Sequence, residues 1–197
     1  MIFILGKTHI LSSLTVTTLA LTLIPRSKVL PFTRLNYGFL ILGGVGLGCL
    51  IPDCDIQHST INKIIPIKLY KHLHHRGFTH TLLGWALFTI LMILLIFLIK
   101  HIYFIMFAIG LIFGYLLHLV EDSFSQAGIN WLYPFTPYDE YVLTNYNKRV
   151  RKPDHFVNNK PIRHWWGKGY VTGGTFEKKL YLYLWCLFLI NLTLFVS

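Results

Sequence analysis

Two apolar runs, Leu82–Ile99 and Ile102–Val120, stand back to back with only Lys100 and His101 between them. A helix of ~20 such residues matches the thickness of a bilayer's hydrocarbon core. Two of them joined by two polar residues read as antiparallel spans with a tight turn at one membrane surface. Three further runs extend the pattern: Ile10–Ile24, rich in Thr and closed by Pro25; Tyr37–Ile51, closed by Pro52; and Leu180–Val196. The shorter runs also suit buried core helices of a soluble protein, and here composition decides. Only 13% of the 197 residues are charged and 54% are apolar, against about 25% charged in a soluble domain. The expected fold class is an all-α, polytopic membrane helix bundle of about five transmembrane helices. Gly38, Gly43, Gly44, Gly46 and Gly48 in the second run predict close approach of a neighbouring helix.

Charge placement then orients the spans. Lys7 ahead of the first run imitates a secretory signal, but no small-x-small cleavage site follows, and the run ends in Pro25, Arg26 and Lys28. The first run is therefore expected to be a retained helix. With five spans, one side holds Lys7, four Lys and Arg between the second and third runs, and nine more from Lys148 to Lys179. The other side holds Arg26, Lys28, Arg34 and Lys100. The positive-inside rule puts the N-terminus and the long segment in the cytoplasm, in a multi-pass membrane protein. The net charge of +10 becomes a topology signal, and nucleic-acid binding loses its main support. The expected division is a four-helix membrane core over 1–122, a basic aromatic segment at the cytoplasmic interface over 123–179, and a C-terminal transmembrane helix over 180–197. Three unevenly spaced Cys do not make a disulfide framework.

Four short motifs hold most of the His and carboxylates outside the basic segment: Thr8-His9, Ile51–Ser59 (IPDCDIQHS), His75–His80 (HRGFTH) and Gly114–Asp122 (GYLLHLVED). All four fall at helix ends on the side assigned as cytoplasmic, although the charge count used neither His nor motif positions. Antiparallel packing would bring them to one surface. Imidazole and carboxylate oxygens are the usual ligands of zinc and related divalent ions. His118 and Asp122, four residues apart, share a helix face and can grip one ion. Asp53 and Asp55 follow Pro52, where a short turn can present both. His9 and His80 each follow a Thr that could cap a helix start. Plainer readings stand beside these. His118 and Asp122 suit an interfacial hydrogen-bonded pair, Asp53 and Asp55 a turn, Thr8-His9 a structural role, and His72, His74 and His75 a solvated basic patch. Cys54 has no second Cys at a ligand spacing.

In order and approximate spacing the four motifs, with Gly128 and Trp131-Leu132-Tyr133-Pro134-Phe135 after them, resemble those of the YdjM-type family of inner-membrane, metal-dependent hydrolases. The likeness runs from residue 8 to 135. Thr81 stands where that family has Ser, and Ser125 where Thr is common; the segment after Phe135 carries no motif that maps. The resemblance implies metal ligands at His9, Asp53, Asp55, His80, His118 and Asp122, and a site for one or two divalent ions, zinc first, with Mn or Mg as substitutes.

The function expected is metal-dependent hydrolysis of a membrane lipid or lipid-linked (phospho)ester. Arg76 would hold a phosphate oxygen through its planar fork, and His75 or Glu121 would act as general acid or base. The basic segment would attract anionic headgroups. A non-enzymatic membrane regulator or scaffold with a structural metal site is the alternative. A transporter fits less well, because transport sites lie near mid-membrane and these groups lie at one surface.

Overall fold

Among the described residues are five long helices, α1 (Leu5–Thr22), α2 (Pro31–Gly48), α4 (Leu82–Ile99), α5 (Ile102–Ser123) and α6 (Thr175–Val196), with a short α3 (Thr60–Ile64) between the second and third of these. The computed structural model describes residues 5–24, 31–64, 69–73, 76–124, 129–135 and 175–196. Among the described residues there is no strand, and the fold is an all-α bundle. The expected segment 123–179 falls mostly outside them, as does His75.

All five apolar runs are helical, and α4 has the expected bounds. At the turn after it, Lys100 takes the left-handed conformation (φ 52°) while its N–H donates to the Ile96 carbonyl at 2.9 Å. This is a common way to close a helix, and it lets α5 start two residues later. Among the described residues four spans, Leu35–Asp55, Leu82–Ile99, Ile102–Ser123 and Phe176–Val196, are long and apolar enough to cross a membrane; α1, expected as the first span, is not one of them. Many large apolar side chains along α4, Leu87, Ile90, Leu94, Phe97 and Leu98 among them, are exposed, as a lipid-facing surface requires.

α1 is as long as α4 but carries many hydroxyls. The Thr15, Thr17 and Thr18 hydroxyls donate to the carbonyls of Leu11, Ser13 and Leu14 at 2.7, 2.7 and 2.9 Å. Bonding back to its own backbone lets a Thr-rich helix be buried without orphaned polar atoms. α1 packs on α6 and α2, and Thr15 also reaches the Leu184 carbonyl of α6 at 3.4 Å.

α2 packs most extensively on α5. The expected glycine contact is present, and its partner supplies matching glycines: a Cβ on Gly48 would strike the Leu111 backbone, and one on Gly114 the Val45 backbone. Small residues on both sides let the two backbones touch. The consequence is positional. One residue past Gly48 and one turn past Gly114, the Cys49 carbonyl comes within hydrogen-bond reach of His118.

The start of α1, the end of α2, the start of α4 and the end of α5 therefore meet at one end of the bundle, as the motif positions required. Two 3-10 turns, Pro52–Asp55 and Phe78–His80, fill the space between them. The helix-capping expectation needs correction. α1 begins at Leu5, so Thr8 lies inside it. The cap of α4 is Thr81, whose hydroxyl accepts from the Gly84 N–H at 3.0 Å, not Thr79. The turn at Asn130–Phe135 closes over this end, with the Leu82 N–H donating to the Trp131 carbonyl at 3.0 Å.

Candidate metal centre

His118 comes from the last turns of α5 and is fully buried. Its Nδ1 lies 2.7 Å from the Cys49 carbonyl. A carbonyl only accepts, so Nδ1 carries the proton and Nε2 keeps its lone pair. His80, also fully buried, is fixed in the same sense. Its Nδ1 lies 3.1 Å from Asp55 Oδ2 and 3.1 Å from the Thr79 hydroxyl, which itself donates to Asp55 Oδ2 at 2.8 Å. Thr79 is in turn held by its carbonyl, which accepts from the Tyr115 hydroxyl at 2.7 Å.

The two Nε2 atoms face each other at 3.3 Å. Asp53 Oδ1 is 3.8 Å from each of them, and Asp122 Oδ2 is 3.6 Å from His80 and 3.7 Å from His118. Four atoms with lone pairs thus converge from three stretches of chain. With ligand bonds of about 2.0–2.1 Å, neighbouring donors of a tetrahedral site stand roughly 3.4 Å apart. The His–His and His–Asp spacings, 3.3 to 3.8 Å, lie near that value, and the chemistry of the set fits a divalent ion. Among the described residues, Asp53 and His80 with His118, and His9 and Asp122 with His118, are groups whose donors lie within 4.8 Å of one another.

Without an ion, protons must keep these lone pairs apart. Burial alone would push the His80 pKa down, but the Asp55 carboxylate and the neighbouring Asp53 outweigh it and raise it to about 9. An imidazolium at His80 can then donate from Nε2 to His118. A bound cation would replace that proton.

Asp55 stands behind His80 and faces away from the four convergent donors. Besides His80 and Thr79 it accepts from the Arg76 N–H at 3.1 Å. Carboxylates in this position orient an imidazole and raise its basicity. Arg76 is buried, and its backbone is left-handed (φ 60°). That conformation is rare outside glycine and costs of order 1–3 kcal/mol. Its guanidinium meets Asp122 Oδ1, with Nη2 at 3.2 Å.

His9 enters from α1. Its Nδ1 lies 2.5 Å from Glu121 Oε2, its Nε2 3.5 Å from Asp122 Oδ1, and its ring stacks on His118 with centroids 4.3 Å apart. The Ser13 hydroxyl donates to the other Glu121 oxygen at 3.1 Å. Asp53 and Glu121, with side chains 13% and 19% exposed, form the rim of the otherwise closed cluster.

Of the nine residues singled out from sequence, eight are therefore together here, and His75 lies outside the described residues. Sequence reasoning missed Thr79, Tyr115, Ser13 and the Cys49 carbonyl. Only Thr79 had a visible signal, its place beside His80; the others act through contacts that no spacing announces.

No curated protein and no solved structure matches the chain. A family match does cover nearly its whole length, residues 4–197. With its helices apolar enough to cross a membrane and its His/Asp motifs gathered at one end, the chain belongs to the YdjM inner membrane protein family.

Proposed function

We propose that the chain is a metal-dependent hydrolase acting on a phosphoester of a membrane lipid or a lipid-linked molecule, with the site at the cytoplasmic face. The observation that carries this reading is the convergence of His80 Nε2, His118 Nε2, Asp53 Oδ1 and Asp122 Oδ2 on one buried point. Buried carboxylates in such number are costly without cations. A divalent ion here would polarise an ester oxygen and lower the pKa of water towards ~7. Arg76, anchored on Asp122, sets a fixed positive charge beside the donors, which suits a phosphoryl group better than a carboxylic ester. Asp53 and Glu121 at the rim mark where a headgroup would enter. The start of α4 and the turn at Asn130–Phe135 are adjacent, with Leu82, Leu132 and Phe135 exposed. Such apolar side chains would keep a lipid's chains in the bilayer while its headgroup reaches the cluster.

The test is direct. Protein purified in detergent is incubated with lipid extract, with and without chelator, beside an Asp122→Ala variant, and the products are read by mass spectrometry. A product made only by metal-loaded wild type is the expected result. One observation favours the non-enzymatic reading: four protein donors suffice to close a tetrahedral structural site. Tightly bound metal with no lipid product from any extract would favour that alternative.

A further inference from the structure

His9, Asp122 and His118 invite a second ion beside the first, with Asp122 shared between them. The two oxygens of Asp122 are not equivalent, however. Oδ2 faces His80 and His118 at 3.6 and 3.7 Å, among the convergent donors. Oδ1 faces Arg76 Nη2 at 3.2 Å and His9 Nε2 at 3.5 Å. A positive group therefore already stands on the oxygen that a second ion would use.

His118 cannot serve two ions either. Its Nδ1 is committed to the Cys49 carbonyl, and its single remaining lone pair points at His80. A second ion would be left with His9 Nε2 and an oxygen already paired with a guanidinium. Placing a divalent cation there would set it against Arg76 in a buried site, where like charges repel strongly.

We infer that the centre takes one divalent ion, on His80, His118, Asp53 and Asp122, that the Arg76 guanidinium fills the place of a second cation, and that His9 stays outside the ligand set. This rests on the metal-dependent reading above and goes beyond it in fixing the number of ions and the part played by His9 and Arg76. His9 then serves to hold Asp122: its Nδ1 meets Glu121, whose other oxygen accepts from the Ser13 hydroxyl, and its Nε2 faces Asp122 Oδ1 at 3.5 Å.

Metal content tests the assignment without any substrate. Wild-type protein in detergent is loaded with Zn or Mn, freed of loose metal by dialysis, and measured by elemental analysis. One ion per chain is expected in wild type and in His9→Gln, and none in His118→Ala. Two ions in wild type with one in His9→Gln, or none in His9→Gln, overturns the inference. Electron paramagnetic resonance of the Mn(II)-loaded wild type needs no variant and answers the same question. An isolated Mn(II) signal is expected, whereas an exchange-coupled pair would show two ions sharing Asp122. Wild type that retains no ion under any loading defeats the metal reading itself, a result distinct from either failure above.

Discussion

Between α2 and α5 the backbones meet through glycine; between α1 and α6 a side-chain hydroxyl, that of Thr15, reaches across to the Leu184 carbonyl. Gly48 and Gly114 bring two main chains together with no side chain between them. Thr15 and Thr18 are buried with their hydroxyls turned back on their own helix. The first contact fixes the parts that need sub-ångström placement, His118 above all. The second carries α1, and with it His9, whose place depends on side-chain bonds to Glu121. A glycine contact tolerates no added atom, while a hydroxyl contact can lose one bond and keep its shape. Rigid and forgiving sides thus flank one cluster.

The largest effect is expected where the rigid side ends, at His118. Exchange for Ala removes a donor and should abolish retained metal, measured by elemental analysis, while circular dichroism shows whether the helices persist. Gly114→Val should come next. Its side chain must displace the Val45 backbone, and overpacking of this kind costs about 1–3 kcal/mol. A lower melting temperature in detergent, together with lost metal, would mark α2–α5 contact as what positions the donors. An unchanged melting temperature would break the contrast.

Asp55→Asn tests the support behind His80 and should weaken metal affinity by roughly 10- to 100-fold without abolishing it, as read by chelator competition. Titration gives a further handle on the same residue. In metal-free protein the folded His80 pKa, raised to about 9 from an ordinary 6.5, favours the protonated ring. Its contribution to stability is fully present below about pH 6.5 and is lost as pH rises through 9. Melting curves of chelator-treated protein should therefore decline across that window, and metal-loaded protein should lack this component. The smallest effect belongs to the forgiving side. Ser13→Ala removes one bond to a rim-exposed Glu121 and should cost about 1 kcal/mol or less, with metal retained.

Much of this was legible in the sequence. Leu82–Ile99 emerged with its bounds intact because an uninterrupted apolar run between polar residues has little choice of ends. The convergence of His9, Asp53, His80, His118 and Asp122 followed from spans and antiparallel packing. What was not legible depends on which atom faces where. Asp53 and Asp55 look equivalent in the run from Pro52, yet one faces the donors and the other stands behind His80. The division of labour between Glu121 and His9 depends on which ring nitrogen each partner meets. The Cys49 carbonyl has no sequence signature, since every residue has a carbonyl. Arg76 suggested an anion to bind, and its left-handed backbone and its contact with Asp122 appear only in three dimensions.

Asp55 also bears on how the site comes into being. Its Oδ2 takes the Arg76 N–H, the Thr79 hydroxyl and His80 Nδ1, so one oxygen ties the turn at Pro52–Asp55 to the turn at Phe78–His80. That clasp closes a long loop without using any of the four donor atoms. Metal sites assembled only on binding spend much of their affinity on ordering the chain. Here the loop-closure entropy is met within the protein itself. The ion would meet a cage already shaped, and loading and removal should leave the fold standing.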